Sequence, residues 1–408
     1  EGKVVPDLAE SYEMKSDTEY VFKLREDACF WDGTPVTAQD VKFSLDRAKG
    51  MPKTKSNTSK IEEVTVNGDH EVTIKLTEPY AAFKTIVTQH NLSILSEKAV
   101  TEAGDSYGDV DNLLGSGPFK VTEWVPNDHY TLVRNDNYWG EMPIATSITC
   151  RVIPEGSART IALEAGEIDV VWSVDPTDCA NVESNPDVKL LSQPSTGIDY
   201  VGMNTQKEKF SDKRVRQAIN YALDKQAFVD TIIEGRGLVA NSYINAAIPG
   251  WTDEVEAYPY DPEKAKELLA EAGYPDGFEC SIFVNGDLRT RSAQILQAQL
   301  ADVGIKVDIS TYEWGALLDT LNAGEHEMFL LGWSNTSFDP DGSTYQLFYS
   351  GNHGATGNRA FFSNDKVDEL ILSAQRESEE SKRMELYKEL QFVLHEESPW
   401  CPLYYKEN

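Results

Sequence analysis

One stretch concentrates groups able to grip a small molecule: Gly332-Trp333-Ser334-Asn335-Thr336-Ser337-Phe338-Asp339-Pro340-Asp341-Gly342. An apolar run, Met328 to Leu331, leads into an aromatic residue and then a polar loop with two acids. An indole offers a flat apolar wall, and a carboxylate pairs with an ammonium group or caps a helix. Trp333, Asp339 and Asp341 are therefore candidate ligand contacts. The alternative for Asp339 is a cap on the helical turn that Pro340 starts. Arginines supply the opposite charge, since a guanidinium binds a carboxylate through two parallel hydrogen bonds. Arg291, at a strand-to-helix junction, and Arg359, among Gly354, Gly357 and Phe361-Phe362, are candidate carboxylate receptors, with a surface charge as the equal alternative. Arg289 reads as a surface charge. Asn204, ending a strand, and Asn91, in a break between helices, complete the ligand-binding candidates. Trp31 and Trp314 read, with Trp333, as core or pocket wall.

Nothing adds bond-making chemistry to these groups. No nucleophile elbow, P-loop, GxGxxG or HExxH pattern occurs. The six histidines, at 70, 90, 129, 326, 353 and 395, are never spaced as two ligands on one helix face. The five cysteines form no CxxC pair, which argues against zinc and thioredoxin chemistry. Cys280 and Cys401 fall in strands of one lobe, where a disulfide is conceivable and independent buried thiols are preferred. No enzyme, metal or cofactor is expected. Sixty-eight acids against 37 bases give a net charge of −31, which disfavours nucleic acid and anionic membranes as partners. No apolar run approaches a membrane span.

The elements that position these groups follow from periodicity. Tyr20, Phe22 and Leu24 alternate with Lys23 and Arg25, a strand. Thr37 caps a helix with Asp40 three residues on, and Val41, Leu45 and Ala48 form its buried stripe. Residues 61–77 read as a hairpin turning at Asn67-Gly68-Asp69. Residues 80–103 read as helices broken near Asn91. Strands at 148–153 and 168–172 flank a helix at 158–165, an α/β unit. Tyr200 to Met203 is a strand, and Ser211 caps the next helix. From about 245, α/β alternation repeats: helix from Asp261, strand 281–284, helix 291–303, strand 305–309, helix 314–323, strand 328–333, two further helices and a strand at 401–406. Ligands in such sheets bind at the carboxyl ends of the parallel strands, which is where the Trp333 loop falls.

Three blocks carry a family resemblance. Leu8-Ala9-Glu10, Phe22-Lys23-Leu24-Arg25, Trp31-Asp32-Gly33-Thr34-Pro35 and Ala38-Gln39-Asp40-Val41 form one. Gly166-Glu167-Ile168-Asp169-Val170-Val171 and the run from Phe210 to Lys225 form the others. In order and spacing they resemble the extracellular solute-binding proteins of dipeptide, oligopeptide and nickel importers. The resemblance implies a bilobal α/β periplasmic-binding-protein fold, type II-like, with a small extra α/β domain. It implies domains at 1–116 (accessory), 117–245 (first lobe) and 246–408 (second lobe), with a hinge at Gly115-Ser116-Gly117-Pro118. The first lobe is expected to be truncated at both chain ends, because the sequence starts and stops inside family blocks.

The implied function is capture of a short peptide by hinge closure and delivery to the permease subunits of an ABC importer. The implied setting is extracytoplasmic, as a monomer reaching the membrane only through a lipid anchor upstream. A nickel chelate, sugar or opine is the alternative ligand; a cleft hydrolase and a surface adhesin are the rival classes. The family's peptide binders carry an amino-pairing acid three residues after the Trp. Here Thr336 stands there, so Asp339 is expected to take over that pairing. Arg291 is expected to match the family's carboxylate-binding arginine.

Overall fold

The computed structural model describes residues 3–51 and 53–407. They form two units, Lys3–Asp169 and the chain from Val170 onward.

In the first unit, β1 (Ala9–Ser16), β2 (Glu19–Leu24), β3 (Ile61–Gly68) and β4 (Glu71–Leu76) make an antiparallel sheet in the order β1-β2-β4-β3. Alternation fixes which face is buried: Val72, Ile74 and Leu76 point inward with Tyr20, Leu24 and Val64. The helix Ala38–Lys49 covers that face with Val41, Leu45 and Ala48. Its first turn is held as the sequence indicates: the backbone N–H and hydroxyl of Thr37 donate to the Asp40 carboxylate at 2.9 and 2.8 Å. A second antiparallel sheet joins β5 (Phe119–Val125), β6 (His129–Arg134) and β7 (Ser147–Arg151). The α/β unit expected at 148–172 is not formed. β7 pairs antiparallel with β6, and 168–172 adopts no strand; Val170 and Trp172 are 76% and 88% exposed, and no strand among the described residues pairs with that segment.

The second unit is built on a six-stranded sheet, order β11-β10-β12-β8-β13-β9. Its strands are β8 (Pro194–Met203), β9 (Gly237–Val239), β10 (Phe278–Val284), β11 (Ile305–Thr311), β12 (Met328–Ser334) and β13 (Trp400–Glu407). β10, β11 and β12 are parallel, and β8 runs antiparallel between β12 and β13. Helices cover both faces, which is why β8 and β12 read as nearly continuous apolar runs. Val201, Met203, Met328 and Leu330 face one core with the helices Lys213–Ala222, Lys225–Ile232 and Gly286–Ala301. Ile198, Tyr200, Phe329 and Leu331 face the other, where Tyr200 stacks on Trp400. Gly202 is required here: a Cβ would lie about 2.1 Å from the Phe329 ring.

Packing divides the chain differently from the expected boundaries at 116 and 245. β8, β9 and the helices between them were assigned to a first lobe, yet β8 is a central strand of the same sheet as β10–β13. Strand pairing between distant segments decides this, and local pattern does not carry it. Gly115, expected in a hinge, lies against the Trp31 indole, whose N–H donates to the Gly117 carbonyl at 3.1 Å. Asp212, not Ser211, caps the helix Lys213–Ala222. All five cysteines are free thiols, Cys280 and Cys401 among the buried ones.

Candidate functional site

The carboxyl ends of β10, β11, β12 and β13 and the start of β8 meet at one edge of the six-stranded sheet. The register is explicit: Ser334 lies opposite Gly197, Gly332 opposite Asp199, and Glu407 opposite Pro194. Two sets of side chains occupy this edge, one on each face.

On the face of the helix Gly286–Ala301, the carboxylate of Asp199 sits 3.9 Å from the Arg289 guanidinium and 3.6 Å from the Lys406 ammonium. Asp199 is 3% exposed, while both cations reach solvent in part. Gly332 makes the room: a Cβ there would lie 3.0 Å from an Asp199 oxygen and 3.3 Å from Arg289. Both charge contacts are longer than a hydrogen bond, so Asp199 holds the cations without using up their donors. The buried Arg289 Nε has no hydrogen-bond partner. Two cations thus surround one acid, an arrangement that can receive a carboxylate. The Ser195 hydroxyl donates to the Lys406 carbonyl at 2.7 Å and fixes the end of β13.

On the other face, Trp333 leans on the apolar core, and its indole N–H donates to the Gly342 carbonyl at 2.9 Å. Asn335 clasps the loop that follows: its amide donates to the Asp339 carbonyl and the Ser343 hydroxyl, both at 2.7 Å, and its oxygen accepts from Ser337. Asp339 is buried and turned toward Arg383. Arg383 grips its carboxylate with both terminal nitrogens, one at 2.8 Å, and the Asp341 N–H adds a bond at 2.9 Å. Burial pulls the Arg383 guanidinium down, but Tyr387, Asp339 and Asp341 outweigh it and hold it above its ordinary range. Asp341 is 2% exposed and accepts from Gln375 at 2.9 Å. Asp339 is the residue expected to take over amino-group pairing; here its oxygens already serve Arg383 and the turn. Ser334 and Thr336 are the polar side chains this loop exposes.

The remaining candidates scatter. Arg291 lies in the same helix as Arg289, but two residues on an α-helix differ by about 200° around the axis. It turns away from the edge and donates to the Thr231 carbonyl at 3.3 Å. Asn204 is 1% exposed and ties β8 to the Gly324 and His326 carbonyls, at the start of β12. Arg359 belongs to that end too: its carbonyl bonds the His326 ring at 2.8 Å, and its Nε donates to Asn322 at 3.1 Å. Seven residues of β12 put about 20 Å between that end and Trp333. Burial lowers the Arg359 guanidinium, and no carboxylate among the described residues pairs with it. Asn91 is exposed in a short 3-10 turn of the first unit. Trp314, expected in a wall, is 49% exposed.

Sequence reasoning passed over Asp199 and Lys406 and read Arg289 as a surface charge. A signal existed for Asp199, an acid inside the apolar run of β8. Arg289 read as a surface charge because the helix was expected to start at Arg291; it starts at Gly286, which places Arg289 in its first turn beside the strand ends. Among the described residues no cluster of three His, Cys, Asp or Glu side chains can hold a metal ion.

A model of the bacterial extracellular solute-binding proteins, family 5, middle region, matches residues 3–355. Heme-binding protein A of Haemophilus influenzae is 32% identical over 98% of this chain and 78% of its own length. The dipeptide-binding protein of Escherichia coli is 31% identical over 97% of this chain and 80% of its own length. Among solved structures, the periplasmic binding protein DppA of Helicobacter pylori in complex with the peptide STSA superposes with a TM-score of 0.91 at 30% identity, covering 100% of this chain and 85% of that one. The binding protein AgaA in complex with agropinic acid, from A. tumefaciens R10, gives 0.89 at 27% identity, covering 99% and 84%.

Proposed function

The chain belongs to the bacterial extracellular solute-binding proteins, family 5, and from that premise we propose that its second unit receives the carboxylate end of a short peptide at Arg289 and Lys406. Proteins of this family are binding components of ABC importers that work outside the cytoplasm, not enzymes. No helix among the described residues is long and apolar enough to cross a membrane. The observation that carries the proposal is the pair of cations around Asp199, set at the carboxyl ends of the parallel strands with donors to spare. Trp333, on the opposite face of the same edge, supplies an apolar wall. Arg289 replaces Arg291 and Arg359 as the proposed carboxylate receptor. Capture by hinge closure, a monomeric state and a lipid anchor, expected from the family resemblance, belong to the same proposal.

Micromolar capture corresponds to about −8.2 kcal/mol, within reach of charge-assisted bonds plus apolar burial. The test is calorimetry with a peptide identified by mass spectrometry on the purified protein. Arg289→Ala should weaken binding by about 2–5 kcal/mol, because the ligand carboxylate loses its partner. Unchanged affinity, or retention of a sugar or other ligand without a carboxylate, overturns the proposal.

A further inference from the structure

We propose that the ligand end held by the Trp333 loop carries no ammonium group, so that the substrates are N-terminally blocked peptides or other carboxylates without a free α-amino group. The inference rests on the peptide-binding reading and narrows its substrate class.

The loop offers two carboxylates in sequence and none in space. Asp339 and Asp341 are 6% and 2% exposed, and their oxygens accept from Arg383, from the Asp341 N–H and from Gln375. Turning Asp339 outward would strand the guanidinium of Arg383, whose side chain is 9% exposed. The loop does not yield to allow it. Asn335 ties down both its ends, Trp333 is fastened to Gly342, and Phe338 is held at φ +53°, a left-handed conformation that only a tightly constrained chain imposes on a phenylalanine. The exposed polar residues of the loop are Ser334 and Thr336, which carry hydroxyls and no carboxylate. A hydroxyl can bond an amide or a carbonyl but cannot neutralise a buried ammonium.

The other face of the edge points the same way. Arg289 and Lys406 outnumber Asp199, so the inner part of the edge is positive. The acids nearby stand on the rim: Asp287 and Glu313 are exposed at the starts of their helices, and the Glu407 carboxylate accepts from the Ser192 hydroxyl at 2.6 Å. The N-terminus of the sixteen-residue helix Gly286–Ala301, which no side chain caps, adds to the positive potential.

The experiment exposes the purified full chain to an equimolar tetrapeptide library and to the same library N-acetylated, and counts retained molecules by mass spectrometry. The acetylated library should be retained at least as well as the free one. Thr336→Asp should shift retention at least tenfold toward free amines, because it places a carboxylate where the wild type has a hydroxyl. A tenfold excess of free-amine peptides on the wild type overturns the inference while leaving the peptide reading intact. Retention of neither library overturns the peptide reading itself.

Discussion

Asp339→Asn isolates the role of the buried carboxylate under the Trp333 loop. In the wild type, Arg383 and Asp339 are 9% and 8% exposed at their side chains and form a two-pronged pair. The asparagine keeps one oxygen for the Asp341 N–H but turns an amide toward a guanidinium. Arg383 would retain only the Ala374 carbonyl and the Tyr387 hydroxyl, each at 3.2 Å. Breaking a buried pair by removing one partner costs about 3–5 kcal/mol, because the other charge stays buried and uncompensated. At about 2–4 °C per kcal/mol for a unit of this size, Tm should fall by about 6–20 °C. Arg383→Met alone removes the charge and leaves a buried carboxylate. The double variant removes both charges and should be more stable than Asp339→Asn. Urea melts of the four proteins give the coupling energy, expected at about 2 kcal/mol or more. A single variant within about 1 kcal/mol of wild type, or a coupling near zero, would mean that the pair is not the buried clamp described. A ligand role for Asp339 would instead show as lost affinity without lost stability.

Two further outcomes follow from buried groups outside the site. His326 is fully buried, and burial lowers its pKa to about 4, although its bond to the Arg359 carbonyl opposes the shift. The folded pKa lies below the unfolded value of about 6.5, so its contribution is complete above pH 6.5 and is lost as pH falls toward 4, by about 3 kcal/mol in all; His326→Gln should flatten the fall in Tm between those limits, and an unchanged slope would exclude His326 as its source. Arg216, 3% exposed, donates to the carbonyls of Phe210, Ser211 and Glu397, joining two helix ends; Arg216→Ala should cost about 3 kcal/mol in urea melts and more than Arg214→Ala, whose guanidinium is part exposed and pairs with Asp212 two residues away.

Much of the fold was legible because local signals act locally. The Thr37–Asp40 clasp, the hairpin at 61–76, the helix that Asp261 caps and the helix starting at Trp314 lie where turn chemistry and periodicity put them. The strand at 168–172 failed for the complementary reason: an apolar alternation forms a strand only where another strand offers hydrogen bonds, and none among the described residues does. The candidate site was legible in part. The carboxyl end of β12 was marked by its aromatic and polar loop. Which charged side chain faces that edge was not, because a five-residue error in the start of one helix exchanges Arg289 for Arg291.

By itself the sequence determined the family and the α/β character of the second unit, and it marked the strand end at which the candidate site lies, since those depend on spacings along the chain. The tertiary structure decided the roles of the charges. Asp339 is followed by a proline and a second acid, which is compatible with either a ligand contact or a turn. Only the arrival of Arg383, forty-four residues later in sequence, makes it a buried clamp. Asp199 becomes the centre of the edge only because β12, β13 and the helix carrying Arg289 close around it. A carboxylate's function is set by the cation nearest in space, and that neighbour is chosen by the packing of distant segments.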